Sequence, residues 1–179
     1  RYQLFTAPGT FTTPSSTTQV RVTVIGGGGS GGWNSPTGQA GSTSSFSTLV
    51  SATGGGAGVA PSTTGSNGTG TVSTGTAIMT GTVTSMINTS PTAIGYIWGN
   101  TVTNGGVLNY TYTATGGIIA GAYGSGSIPG GKGGVAIAIC PVTVSTAYPI
   151  TVGSGGPNVG STPYASPGAS GAVLVEYVG

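Results

Sequence analysis

The chain has no histidine and no aspartate, and Glu176 is its single acidic side chain, so most of the groups that proteins use to move protons or hold metals are missing. General acid–base chemistry needs a side chain whose pKa can be tuned toward neutrality. Only Glu176 and Lys132 could serve. A glycosidase needs two carboxylates across the scissile bond, and this sequence has one. Without aspartate there is no oxygen-rich calcium loop, and without a His or Cys cluster there is no zinc or iron site. No cofactor and no metal are therefore expected, nor is enzymatic activity. Cys140 is the only cysteine, which excludes an internal disulfide and leaves it as a small buried hydrophobe. Charged residues amount to 2 %. The basic pI rests on Arg1, Arg21 and Lys132, which are scattered, so the clustered footprint of a nucleic-acid binder is absent. No apolar run approaches the length that spans a bilayer as a helix, and the first residues carry no signal-peptide pattern, so membrane insertion is not expected. The start at Arg1 suggests a processed chain or a piece of a longer one.

What is present is glycine, 38 residues in 179, together with threonine, serine and valine. A hydrophobic fraction of 36 % and near-zero charge argue against disorder, which usually pairs low hydrophobicity with high net charge. The length fits a single domain, 1–179, with residues 1–11 as a candidate N-terminal extension or exchanged strand. Helix signals are nearly absent and period-two alternation recurs. Val20, Val22 and Val24 alternate with Arg21 and Thr23, and Leu108 to Ala114 alternates likewise. In Val135 to Cys140 large and small residues alternate, which reads as a strand buried on both faces. Further strand candidates are Ser44 to Ala52, Ala77 to Ile87, Thr92 to Trp98, Tyr148 to Val152 and Ala172 to Val178. The expected fold is all-β, a sandwich or jelly-roll-like barrel with glycine-rich loops. Arg21 and Glu176 are expected to pair across neighbouring strands.

Glycine runs at Gly26 to Gly32, Gly54 to Gly58, Gly116–Gly117, Gly130 to Gly134 and Gly153 to Gly156 adjoin the strand candidates. Such runs make either tight loops or extended polyglycine packing, in which backbones touch with no side chains between them. Their entropy cost requires backbone hydrogen bonds or neighbours, which a trimeric or layered assembly would supply. Neither the first run nor the segment around Lys132 has the downstream Gly-Lys-Ser/Thr and helix of a phosphate loop. The remaining chemical resource is aromatic. Trp33, Asn34, Tyr96, Trp98, Asn100, Tyr123 and Tyr164 lie in or beside glycine- and proline-rich stretches, and are candidates for stacking on a sugar or anchoring at a protein interface.

Several segments together resemble glycine-rich domains of bacteriophage tail-fibre and receptor-binding (adhesin) proteins. They are Gly9-Thr10-Phe11-Thr12-Thr13-Pro14, then Val20 to Ile25 running into Gly26 to Gly32; Ser44-Ser45-Phe46 leading to Gly54-Gly55-Gly56; Tyr148 to Gly156; and Gly171 to Tyr177. The stretch Thr71 to Thr115 departs from the pattern, with threonine- and aromatic-rich strands in place of longer glycine runs. The resemblance implies a virion protein at or near the distal end of a fibre, homotrimeric or capping a trimer. Its expected partners are copies of itself, other virion proteins and a host surface glycan or outer-membrane protein, in a virion or extracellular setting. A structural coat element, such as a capsid decoration protein or a filament subunit assembled by strand exchange, is the alternative.

Overall fold

The computed structural model describes residues 1–32, 37–59, 62–82, 128–157 and 167–178. The described part is all-β, and its strands are β1 (Tyr2–Phe5), β2 (Gly9–Thr12), β3 (Gln19–Ile25), β4 (Ser44–Phe46), β5 (Val50–Ala52), β6 (Gly70–Val72), β7 (Thr76–Thr82), β8 (Gly134–Pro141), β9 (Ala147–Thr151) and β10 (Ala172–Tyr177). They form two antiparallel five-stranded sheets, one in the order β1-β10-β3-β8-β7 and the other β2-β9-β4-β5-β6.

The valine alternation of β3 directs Val20, Val22 and Val24 into the space between the sheets, where they meet Val173 and Val175 of β10 and Phe11, Phe46 and Ile150 of the opposite sheet. Burying side chains of this size is worth about 1.5–3 kcal/mol each, against the entropy of ordering them. The aromatic residues form a chain through this core. Phe11 lies 6.2 Å from Phe46 and 5.3 Å from Tyr177, and Phe46 stacks on Tyr148 at 5.3 Å. Strand β8 differs from its expected burial on both faces. Its small face, Ala136, Ala138 and Cys140, is in the core, whereas Ile139 on the large face is 40 % exposed. Small residues on the inner face let the sheets approach, and bulk is carried outside.

Local chemistry explains the turns. The stretch Ser44 to Ala52, expected as one strand, is a hairpin whose turn begins at Ser47 with φ of 49°. Gly75 has φ of +114° at the corner from β6 to β7, where a side chain would be strained. Residues 1–11 supply β1 and most of β2, pairing with β10 and β9 of the same chain. At this end hydroxyls do the work that charged caps do elsewhere. The buried Thr13 hydroxyl donates to the Thr143 carbonyl at 2.6 Å, and Thr17 donates to that of Val178 at 2.7 Å. The N-terminal ammonium donates to the Tyr177 carbonyl at 2.7 Å, so both Arg1 and Val178 sit at this end.

At the other end the strands continue into glycine-rich segments. β3 runs into residues 26–32, β5 into 53–58 and β9 into 152–157, while 37–43, 64–69, 128–133 and 167–171 lead into β4, β6, β8 and β10. Here the two-residue period of the sheets gives way to a period of three. Gly26, Gly29 and Gly32 donate their N–H groups to the carbonyls of Gly134, Gly131 and Ile128 at 3.0, 2.8 and 2.7 Å. Gly27 and Ser30 donate to Ser42 and Gln39 at 3.0 and 2.8 Å, and Gly28 donates to Ala169 at 2.9 Å. Successive N–H groups therefore point to three different neighbours, the geometry of a three-fold extended helix of polyproline II type. The carbonyls of Gly27 and Ser30 accept from Gly55 and Gly58, and that of Gly28 accepts from Gly156. Residues 26–32 are buried throughout, and these neighbours all come from the same chain.

Glycine is required here for closeness, not for unusual dihedrals. A Cβ on Gly29 would fall on the carbonyl of Gly56, and one on Gly55 on the carbonyl of Gly131. Among the described residues Gly75 is the only glycine with φ in the left-handed range, and it lies outside the bundle. The described glycine runs are thus extended polyglycine packing, the second of the two forms anticipated above, and Gly116–Gly117 lies outside the described residues.

Candidate functional site

The sequence-derived candidates Trp33, Asn34, Tyr96, Trp98, Asn100, Tyr123 and Tyr164 lie outside the described residues, as do the strand candidates Leu108 to Ala114 and Thr92 to Trp98. What the structure does fix is the platform next to some of them. Gly32 and Ile128 form an antiparallel bridge, with N–H···O distances of 2.7 and 3.2 Å, and Gly38 donates to Gly58 at 2.8 Å. Just beyond, Val59 and Thr63 exchange reciprocal hydrogen bonds of 2.8 Å. The backbone bonds that tie residues 26–32 to their neighbours end at this bridge, far from the sandwich. Trp33 and Asn34 follow Gly32 directly in the chain, so their attachment point is the end of the bundle away from Arg1 and Val178.

The charged side chains are not gathered there. Arg21 and Glu176 are register partners on β3 and β10, with Nε and Oε2 3.9 Å apart. Glu176 is 3 % exposed, and neither its Oε2 nor Arg21 Nε has a hydrogen-bond partner. Burial raises the Glu176 pKa, and the nearby Arg21 guanidinium and N-terminal ammonium pull the other way without cancelling it. The only carboxylic side chain therefore sits inside the sheet beside a cation, away from the bundle end. The Cys140 thiol is held in the core, where desolvation pushes its pKa up to about 11, and it donates to the Thr74 carbonyl at 3.4 Å. A thiol in that state is protonated at neutral pH and is a poor nucleophile. The backbone N–H of Lys132 donates to Asn67 Oδ1 at 3.0 Å, binding two glycine segments together. Among the described residues no group of three or more His, Cys, Asp or Glu could hold a metal.

Sequence reasoning missed three bundle segments, 37–43, 64–69 and 167–171, because their glycines are not in runs. Their signal is spacing: Gly38 and Gly41, Gly65 and Gly68, and Gly168 and Gly171 are each three apart. A three-fold helix at the surface of a bundle turns one residue in three inward, so only that position needs glycine.

No family model, no curated protein and no solved structure matches this chain.

Proposed function

We propose that the chain is a non-enzymatic adhesion domain, of the kind carried by phage tail fibres, which displays loops for contact with a host surface glycan or outer-membrane protein. The observation that carries this reading is the opposition of its two ends. Arg1 and Val178, the first and last described residues, lie at the base of the sandwich, and a bundle tied by backbone hydrogen bonds projects from the other side, ending at the bridge between Gly32 and Ile128, with Trp33 and Asn34 next in the sequence after Gly32. A scaffold whose contacts are backbone to backbone holds loops in place whatever their side chains. Variation in the loops then leaves the fold untouched.

The bundle defines which exchange tests the idea. Residues 26–32 and 37–43 belong to the scaffold, so the replacement is confined to 33–36 and 92–100, each exchanged for Gly-Ser of equal length. Adsorption of the purified, labelled protein to a panel of bacterial cells and outer-membrane vesicles should fall about ten-fold or more, at constant melting temperature. Undiminished adsorption of the exchanged protein would count decisively against the reading. A shell or filament subunit built by strand exchange is the second reading. It draws on β1, the first strand of the chain, which lies at a sheet edge. Because β1 and β2 pair within the chain, the separating measurement leaves them intact: light scattering of the purified chain over a range of concentrations should show open-ended polymers for a strand-exchanging subunit and a fixed, closed species for an adhesion domain.

A further inference from the structure

Residues 26–32 have five neighbours among the described segments, and backbone hydrogen bonds fix the order of those neighbours around them. Gly131 donates to Gly56, Gly41 to Gly55 and Ser42 to Ser154 at 2.8 Å, and Gly168 donates to Gly156 at 2.9 Å. The order is therefore 128–134, 53–58, 37–43, 152–157, 167–171. Among the described residues no backbone hydrogen bond joins 167–171 to 128–134. A rod packed among equal rods has about six neighbours, as in polyglycine lattices of three-fold helices. One side of 26–32 is therefore left, between 167–171 and 128–134.

The backbone groups facing that side show what fits it. The N–H groups of 26–32 point to 128–134, 37–43 and 167–171, and the carbonyls of Gly27, Ser30 and Gly28 point to the sides between, 53–58 and 152–157. By the same three-residue turn, the carbonyls of Gly26 and Gly29 fall to the remaining side, and no described residue donates to either. On 128–134, the N–H groups of Gly130 and Gly133 likewise have no described acceptor. A Cβ on Gly130 would fall on the Gly29 carbonyl and one on Gly133 on the Gly26 carbonyl, so the four groups lie side by side. All four residues are buried. Buried backbone groups in native proteins are nearly always paired. Two donors and two acceptors, each pair spaced by three residues, match an extended backbone better than a single side chain.

The sequence singles out one segment able to supply that backbone. Peripheral bundle segments carry glycines three apart, and outside the described residues this spacing occurs once, at Gly121 and Gly124. Both lie shortly before Ile128, so the chain can turn at the far end of the bundle and return beside 128–134. The stretch 158–166 has a single glycine, Gly160, and is committed to joining 152–157 to 167–171. We propose that residues 121–124 dock on this side as a further bundle segment, with Gly121 and Gly124 turned toward 26–32 and 128–134. Ala122 and Tyr123 between them then face outward. Tyr123 is one of the contact candidates, and this segment displays it on the flank of the bundle instead of its tip. That consequence for binding rests on the adhesion reading, whereas the docking does not.

The experiment compares Gly121→Ala and Gly124→Ala with Ala122→Ser and Tyr123→Ser in the full chain, by thermal unfolding and amide hydrogen exchange. Each glycine variant should lower the melting temperature by about 8 °C or more, and each of the other two by no more than about 2 °C. In the unsubstituted chain the Gly130 and Gly133 amides should exchange about a thousand-fold more slowly than in an unstructured peptide. Gly124→Ala should speed that exchange about ten-fold or more. Should a glycine variant fail to fold, protection in the unsubstituted chain and the stability of Tyr123→Ser still decide. Unprotected Gly130 and Gly133 amides would overturn the proposal, as would a loss in Tyr123→Ser equal to that in Gly124→Ala. Protection that survives both glycine substitutions at full stability would also overturn it, assigning that side to another segment or a second copy.

Discussion

The sandwich and the glycine bundle are made from the same strands, yet they cohere by opposite means. In the sandwich, side chains such as Phe46 and Val22 fill the space between sheets, and backbone hydrogen bonds run within each sheet. In the bundle there are almost no inward side chains, and hydrogen bonds run from each segment to neighbours on several sides. Residue 26 marks the change on β3: before it, alternate residues face inward, and after it, every direction is inward. The comparison teaches that burial without hydrophobic side chains is feasible when every donor and acceptor finds a partner and backbones can touch. Dispersion and satisfied hydrogen bonds replace apolar area.

The largest effect should come from adding a single methyl group to the bundle. Gly29→Ala places Cβ on the Gly56 carbonyl, and the nearest atoms are backbone of Gly55 and Gly56, with no side chain among them able to move away. The expected loss exceeds about 4 kcal/mol, in the range reserved for severe disruptions. The control is Gly81→Ala in β7, where a Cβ meets nothing within 4 Å and the melting temperature should not fall. Thermal unfolding of the two variants tests the claim, and equal melting temperatures would refute backbone contact as the organising feature of the bundle.

Truncation in the sandwich should cost somewhat less, even though it removes far more atoms. Phe46→Ala deletes a ring that is 0 % exposed and packed on Phe11 and Tyr148, and should lose about 3–4 kcal/mol in denaturant titrations. A cavity can partly collapse, whereas a Cβ forced onto a carbonyl cannot be absorbed. A smaller loss is expected at the junction. The buried Ser44 hydroxyl accepts from the Gly153 N–H at 2.9 Å, and Ser44→Ala would leave that donor without a partner, at about 1–3 kcal/mol. Hydrogen exchange at Gly153 should accelerate accordingly, and unchanged protection would show that another acceptor takes over.

The sandwich was far more legible in the sequence than the bundle was. Valine alternation in β3 and the apolar runs of β8 and β10 announce strands, because side-chain burial writes a period into the sequence. The fact that Arg21 and Glu176 fall opposite each other followed from there being so few charges to pair. The hairpin at Ser47 was not legible, since a serine at positive φ has no distinct signature. For the bundle, the run Gly26 to Gly32 stood out because a central segment needs glycine nearly everywhere. Peripheral segments need it at one position in three, and Gly38 with Gly41 is easily lost among 38 glycines. The loop residues proposed for binding show no period in the sequence.

The smallest effect separates the two regions by titration. Glu176 belongs to the sandwich, and no carboxylic side chain lies in the bundle segments. Its folded-state pKa is raised by burial, so the unfolded chain ionises it at lower pH than the folded one. In the unfolded chain a glutamate titrates near about 4.3. Below that value both states are protonated and the full contribution to stability is present; as pH rises through the higher folded value, that contribution is lost. The melting temperature should therefore be higher near pH 3.5 than at pH 7, opposite to the acid lability of proteins rich in paired carboxylates. Glu176→Gln should flatten the profile, because the buried position then holds a neutral group at every pH. A melting temperature that instead falls on acidification, and still falls in the Glu176→Gln variant, would mean that something other than this carboxyl governs the sandwich.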